Sequence, residues 1–126
     1  MSAEEPSHLI VEQRVRNLII EYVKMVSEYR VGEMPGLTEI ICMWEDIVLT
    51  PSDLYLHQFQ PPVYTITEKA ALHAVDEAWN AFRTAITEEM LVDESTGLAI
   101  PEWTVFVDAS VKALDVLRRR GKLAED

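Results

Sequence analysis

The side chains best suited to chemistry in this chain are three histidines, one cysteine and several closely spaced carboxylates. In a helical bundle, a metal site usually appears as a pair of Glu-x-x-His motifs that project inward. Only residues 5–8 have that spacing, and the proline among them marks a helix boundary at which Glu and His would not share a face. His73, Asp76 and Glu77 fall on one helical face, but the pattern places that face toward water. The sequence therefore predicts no metal site and no cofactor.

Nucleophilic catalysis has little support from residue type or spacing. Cys42 is the only cysteine, so no internal disulfide can form, and its apolar neighbours in sequence predict a buried thiol with no adjacent base. Loops that cradle phosphates need several glycines, and the four present are explained as helix stops or turns. A Ser or Cys nucleophile could still meet a histidine, because such groups converge in space and not in sequence. We expect a protein that is not an enzyme.

Charge is the most distinctive property of the chain, which has a net charge of −11. Residues 32–100 hold twelve acids against two bases, Lys69 and Arg83, and so contribute −10 of that total. Such a surface repels a phosphate backbone, so nucleic-acid binding is not expected. It favours a basic protein partner, although an acidic surface that only keeps the protein dissolved would have the same composition.

Acidic and aromatic residues lie together in the middle of the chain, around the segment Gln-Phe-Gln-Pro-Pro-Val-Tyr at residues 58–64. The double proline excludes a helix there and favours an extended connection. Amphipathic rings of this kind are enriched at binding surfaces, but in a small domain they more often cover the core beneath a long crossover. The residues that we predict to contact a partner are Glu45, Asp46, Asp53, Tyr55, His57, Phe59 and Tyr64.

Two short motifs resemble a known family. Trp-Glu-Asp at residues 44–46 and Pro-Ser-Asp-Leu-Tyr at residues 51–55, before a proline-containing loop, are similar to the second helix, short third helix and loop of colicin-type immunity proteins. Those are small acidic four-helix proteins that bind and neutralise basic nuclease toxins. The resemblance implies that Asp53 and Tyr55 lie at the recognition turn, with Glu45 beside it. The chain lacks the family's adjacent pair of tyrosines and has an additional C-terminal helix.

The clearest helix that could position these residues is predicted at residues 66–91. Thr65 and Glu68 have the S/T-x-x-E spacing of a capping box, in which each side chain bonds a backbone N–H of the first turn. Bulky apolar residues then follow at steps of three and four: Leu72, Val75, Trp79, Phe82 and Ile86. An alanine stripe runs beside them: Ala71, Ala74, Ala78, Ala81 and Ala85. Small residues permit close approach of a neighbouring helix or of a second copy, so the alanine stripe also allows a homodimer.

Further helices are predicted at about residues 8–30, 38–49, 51–57 and 102–120. In the first of these, Glu12 and Arg16 are expected to form an exposed i,i+4 pair. Its expected buried stripe is Val11, Val15, Leu18, Tyr22, Met25 and Tyr29, widened by Ile19 and Val26.

The last helix is predicted to begin at Pro101 in its first position and to stop at Gly121. The β-propensity of residues 104–107 is the main conflict with a helical assignment. Arginines 118–120 are expected to complement the dipole of the final turn. The expected buried side is Trp103, Phe106, Val107, Val111, Leu114 and Leu117.

The predicted fold class is all-α: a single-domain bundle of four principal helices plus one short helix over residues 1–126, with the Pro-Pro loop before the central helix. No window has the apolar length of a membrane span, and the acidic start lacks the features of a secretory signal. We therefore expect no membrane association and no targeting segment. The single cysteine suits a reducing, cytoplasmic location.

These patterns favour a non-enzymatic protein that binds a basic protein partner, as an immunity protein or a small inhibitor does. One alternative is a homo-oligomeric structural or adaptor protein that associates through the alanine stripe. A protein that binds a small ligand, or an enzyme, has less support because no convergent set of polar residues is visible.

Overall fold

The computed structural model describes residues 8–29, 36–48, 59 and 63–123, with the side chains of residues 8, 9 and 11 excepted. Within these ranges the chain forms six helices and no strand, which confirms the predicted all-α bundle. We label the helices α1 (His8–Ser27), α2 (Leu37–Ile47), α3 (Ile66–Ala85), α4 (Glu88–Val92), α5 (Glu94–Gly97) and α6 (Pro101–Arg118). The short helix predicted at 51–57 and the Pro-Pro pair lie outside the described residues.

Helix α3 begins at the predicted capping box. The Glu68 backbone N–H donates to Thr65 Oγ1 at 3.1 Å, and the Thr65 N–H donates to Glu68 Oε1 at 3.0 Å. The bulky apolar residues of α3 are buried as predicted, and α6 packs along this helix and also against α1. The pair α3 and α6 thus forms the centre of the bundle.

The prediction of one helix over residues 66–91 was wrong in its last turn and a half. Helix α3 ends at Ala85, because Ile86 adopts an extended backbone with φ −73° and ψ 139°. Thr87 then caps α4, with its Oγ1 accepting from the Met90 N–H at 3.3 Å. The break lets the Ile86 side chain turn toward the core. A local cap and the burial of one apolar side chain therefore outweigh continuation of the helix.

The predicted buried face of α1 was also partly wrong, and this helix ends at Ser27 rather than near residue 30. Leu18 is 55% exposed, whereas Arg16, expected on the surface, is fully buried. Apolar residues occupy more than half of the helix circumference, so periodicity alone did not fix the centre of the buried face. The buried apolar residues are Ile19, Ile20, Tyr22, Val23 and Val26.

Helix α6 begins at Pro101 as predicted, and residues 104–107 are helical despite their β-propensity. Gly121 follows the helix with a φ of +70°, and its N–H donates to the Leu117 carbonyl at 2.9 Å, which confirms the predicted glycine stop. Val111, expected to be buried, is nearly half exposed. It lies at the edge of the face that packs on α1 and α3.

Aromatic rings from four helices meet in the core. Tyr22 of α1 lies 5.4 Å from Trp44 of α2 and 6.4 Å from Phe106 of α6, measured between ring centroids. Phe82 of α3 lies 5.1 Å from Trp103 and 6.0 Å from Phe106. These tilted and stacked ring contacts add to the free energy of apolar burial. The cluster fixes α2 and α3 relative to the rest of the bundle.

Glu94 of α5 joins three separate segments. Its Oε2 accepts from the Leu37 N–H at 3.0 Å, and its Oε1 accepts from the Tyr29 hydroxyl at 2.9 Å. Gly36 allows this approach, because a Cβ there would lie 2.7 Å from Glu94 Oε2. A carboxylate from a distant turn therefore caps the start of α2.

Candidate functional site

The structure separates the seven predicted partner-binding residues. Glu45 and Asp46 are exposed on α2. Asp53, Tyr55 and His57 lie outside the described residues. Two others, Phe59 and Tyr64, are only 3% exposed and belong to the core. The prediction that these two rings contact a partner is therefore corrected.

Phe59 and Tyr64 are buried because they pack on each other and on α3. Their ring centroids are 5.2 Å apart, and Phe59 lies 5.7 Å from the His73 ring. Burial raises the pKa of Tyr64 well above its usual range, since the phenolate would lose its hydration. Phe59 also has a φ of +60°, which is unusual for a bulky residue. The two rings cover the core at the start of α3.

Two indole N–H groups tie α2 to α3. Trp44 Nε1 donates to Asp76 Oδ1 at 2.8 Å, and Trp79 Nε1 donates to the Ile41 carbonyl at 3.1 Å. Trp44 is almost wholly buried, so its hydrogen bond also satisfies a donor that water cannot reach. The inner side of α2 is thus held at two points, and its outer side is presented in a fixed orientation.

The outer side of α2, which we call the acidic face, carries three exposed carboxylates and no basic residue. The acidic face consists of Thr38, Glu39, Cys42, Glu45 and Asp46. Buried residues at 37, 40 and 44 define the opposite side of the helix. Negative charge is therefore concentrated on one arc of a short, well-anchored helix.

Cys42 lies on the acidic face, which corrects the prediction of a buried thiol. Its neighbours in sequence are apolar, but the helical turn of about 100° per residue rotates it away from Ile40 and Trp44 and toward Glu39 and Asp46. An apolar run in sequence does not make every residue in it part of the buried side.

A buried charge network lies at the first turn of α3. Arg16 Nη2 donates to Glu68 Oε2 at 2.8 Å, and this pair is almost wholly inaccessible to solvent. Arg120 binds the same carboxylate through both oxygens, with Nε at 3.1 Å from Oε2 and Nη2 at 2.5 Å from Oε1. Two guanidinium groups thus share one carboxylate. We refer to Arg16, Glu68 and Arg120 as the charge triad.

The charge triad keeps Glu68 ionised inside the protein. Burial by itself disfavours the carboxylate, but hydrogen bonds from Arg120 and Arg16 and from the Thr65 backbone outweigh it and lower the pKa of Glu68 to about 2. Hydrogen bonding to Glu68 also raises the pKa of Arg120. The carboxylate therefore carries its charge throughout the physiological range of pH.

The segment after α6 is tied to α1 by several contacts besides the charge triad. Asn17 Nδ2 donates to the Leu123 carbonyl at 2.7 Å, and the Leu123 N–H donates back to Asn17 Oδ1 at 2.9 Å. Lys122 pairs with Glu21 on the surface. These contacts hold residues 121–123 across the middle of α1.

The sequence interpretation did not include the charge triad, although the spacing contains a signal for it. Arg16 is in helical register with Ile19, Ile20 and Val23, and Glu68 is in register with the bulky stripe of α3. One charge of each sign in register with a buried stripe indicates a buried ion pair. The exposed pair expected between Glu12 and Arg16 is replaced by this arrangement.

The alanine stripe of α3 is divided by its packing on α6. Ala78 is buried against α6, whereas Ala74 and Ala81 are exposed. They line an open groove of about 460 Å³ between the two helices. The groove is formed by Ala74, Glu77, Ala78, Ala81, Val105, Asp108, Ala109 and Lys112.

Neither a metal-binding cluster nor a membrane-spanning helix occurs in the described part of the chain. Over residues 8–29, 36–48, 59 and 63–123, no three His, Cys, Asp or Glu side chains gather closely enough to hold a metal ion. None of the helices described there combines the length and apolar composition needed to cross a membrane.

No protein-family model, curated protein or solved structure shows significant similarity to this chain. The resemblance to immunity proteins therefore rests on the motifs at residues 44–46 and 51–55 alone. Of the three recognition residues that it implies, the structure describes Glu45, which is exposed.

Proposed function

We propose that this protein is a non-enzymatic binding protein whose acidic face engages a basic protein partner. The observation that carries the proposal is the display of Glu39, Glu45 and Asp46 on the outer side of α2, without a base on that helix. The indole hydrogen bonds from Trp44 and Trp79 hold the inner side of α2 against α3. A partner would meet this surface with little cost of ordering it.

The distribution of charge around the acidic face supports a basic partner. Only Lys69 and Arg83 are basic within residues 32–100, and Arg83 lies over the Trp79 ring at 5.2 Å from its centroid. The local field is therefore negative over a large part of the surface. Such a field accelerates encounter with a positively charged protein and repels nucleic acid.

Affinity capture tests this proposal when the bait is varied at the acidic face. The unmodified protein is compared with the double variant Glu45→Lys and Asp46→Lys as bait in lysate from the native cell, with captured proteins quantified by mass spectrometry. We expect the unmodified bait to enrich a basic protein and the double variant to lose most of it, because each reversal replaces attraction with repulsion.

The matched control is Glu28→Lys with Asp115→Lys, which changes net charge equally at two exposed acids outside residues 32–100. This control should retain the basic protein. Equal loss in both double variants would show that total charge, and not the acidic face, determines capture. Equal retention in both would also refute the proposal.

A homo-oligomeric adaptor is the second candidate, and the groove between α3 and α6 favours it. Its floor is formed by alanines, and Val105, which is more than half exposed, lies beside them. Glu77 and Asp108 line the same groove as Lys112, so a second copy related by a two-fold axis could pair opposite charges across it. The groove therefore combines an apolar surface with charges of both signs, which suits contact with an identical groove on a second copy.

Molar mass measured by light scattering distinguishes this candidate. If the groove joins two copies, Ala81→Arg should convert a dimer to a monomer, whereas Ala70→Arg, at an exposed site of α3 that does not line the groove, should leave the dimer intact. An unmodified protein that is monomeric at high concentration would exclude this second function.

A further inference from the structure

The two arginines of the charge triad are bound to Glu68 in different ways. Arg16 is fully buried and has further hydrogen bonds, from Nη1 to the Gly121 carbonyl at 2.5 Å and from Nη2 to the Leu117 carbonyl at 3.3 Å. The Arg120 side chain is 34% exposed and reaches Glu68 from the surface. Arg16 is therefore an internal counterion, and Arg120 is an outer one.

Arg120 fills a site that fits a guanidinium group. Its Nε and Nη2 contact both oxygens of the Glu68 carboxylate, and Nη2 also donates to the Val63 carbonyl at 2.5 Å. Three acceptor contacts thus match the planar fork of one guanidinium. An ammonium group cannot reproduce this bidentate geometry, so the site distinguishes arginine from lysine.

Charge balance allows Arg120 to leave. With both arginines present, the charge triad carries one more positive than negative charge. When Arg120 departs, Glu68 remains paired with Arg16 at 2.8 Å, so no buried charge is left without a counterion. The partly exposed Arg120 side chain is rehydrated as it moves into water.

The backbone near Arg120 can remain in place during this exchange. The Leu123 backbone is held by Asn17 through two hydrogen bonds, and the Gly121 carbonyl accepts from Arg16. None of these three contacts involves the Arg120 side chain. Its departure therefore requires rotation of one side chain and no displacement of residues 121–123.

We propose that the Glu68 carboxylate and the Val63 carbonyl form an arginine-binding site, which Arg120 occupies in the free protein and an arginine of another protein occupies by exchange. The occupant is defined by its guanidinium group and its positive charge. This site lies at the start of α3 and shares no residue with the acidic face. The inference is therefore independent of the proposed function and can fail or hold separately from it.

Chemical rescue of Arg120→Ala tests the site directly. Ethylguanidinium has the atoms that this substitution removes, so it should bind the vacated site and raise the midpoint of thermal unfolding. With a probe present at several times its dissociation constant, we expect a rise of about 3–5 °C for a chain of this size. Ethylammonium at equal concentration should give little or no rise. If Arg120→Ala folds only when a probe is present, the yield of folded protein after refolding is measured instead. That yield should be higher with ethylguanidinium than with ethylammonium.

Arg119→Ala is the matched control, because Arg119 forms only an exposed pair with Asp115 at 3.6 Å. In this variant and in the unmodified protein Arg120 competes for the site, so ethylguanidinium should stabilise both much less than it stabilises Arg120→Ala. N-acetyl-arginine amide should stabilise Arg120→Ala more than N-acetyl-lysine amide does. Equal effects of guanidinium and ammonium probes, or an equal response of the Arg119 variant, would overturn the proposal.

Discussion

Glu68 has two structural roles in one side chain. Through Oε1 it completes the capping box with Thr65, and through both oxygens it binds the guanidinium groups of Arg16 and Arg120. A helix start, the middle of α1 and the end of α6 therefore meet at one carboxylate. Its loss should affect the whole bundle and not only the first turn of α3.

At this scale the first prediction concerns Glu68→Gln. The substitution keeps the shape of the side chain but leaves Arg16 buried without a counterion, so the free energy of unfolding should fall by about 3 kcal/mol. Urea denaturation measures this change. Glu77→Gln, at an exposed site of the same helix, is the control and should change stability by no more than about 0.5 kcal/mol. Similar values for both would show that the charge triad does not stabilise the fold.

The pH dependence of the same variant gives a second prediction. Since the pKa of Glu68 is lowered from 4.5 to about 2, the native state binds fewer protons than the unfolded state between these values. The stability difference between the unmodified protein and Glu68→Gln should be constant above about pH 5. It should then decrease as pH falls toward 2, by at most about 1.4 kcal/mol per pH unit. A stability difference that does not change with pH would contradict the charge of Glu68 as its cause.

Contacts between individual residues were predictable where the two residues are close in sequence. The contact between Thr65 and Glu68 spans three residues, and spacing alone predicted it. The contact between Arg16 and Glu68 spans 52 residues, and nothing local to either one identifies the other. Helical register indicates that each is buried, but only the packing of both α1 and α3 against α6 shows that they meet.

At the scale of elements, the ends of helices depend on both local and distant groups. Thr87 starts α4 with its own side chain, whereas α2 begins with no side-chain cap from Gly36 and is capped instead by Glu94 from α5. The first four backbone N–H groups of an α-helix have no acceptor within the helix. A distant carboxylate can supply an acceptor only after the chain has folded.

A double-mutant cycle between Gly36 and Glu94 gives the prediction at this scale. Gly36→Ala alone should destabilise the protein by about 1–2 kcal/mol, because its Cβ would approach Glu94 Oε2 to 2.7 Å and displace the cap. In the background of Glu94→Ala that obstruction is absent. The cost of Gly36→Ala should then fall to about 0.5 kcal/mol or less. Additive effects would show that the glycine is not required by the carboxylate.

The helices themselves were largely predictable, and their ends and orientations less so. Capping residues and Pro101 located the starts of α3 and α6 because these signals act within one turn. The break after Ala85 was missed, because apolar spacing continues through Ile86 and periodicity cannot distinguish a helix from a helix interrupted by a cap. Tertiary packing decided which side of α1 is buried.

At the scale of the whole molecule, the surface has an acidic region and a region in which opposite charges are paired. Residues 32–100 carry most of the net charge, and α2 presents its share of it on the acidic face. By contrast, opposite charges are paired where the last described residues contact α1, as between Lys122 and Glu21. Composition predicted this separation. It did not predict which acids are exposed on one rigid helix, because that depends on the packing of Trp44 and Trp79.

The most direct test of binding through the acidic face is the association rate of the captured partner at two ionic strengths. For the unmodified protein, raising salt from about 50 to about 500 mM should slow association about ten-fold or more, because screening shortens the range of the attraction. The variant with Glu45→Lys and Asp46→Lys should associate slowly at low salt and show a much weaker dependence on salt. An association rate that is the same at both ionic strengths, or unaffected by the two reversals, would contradict electrostatic recognition by α2.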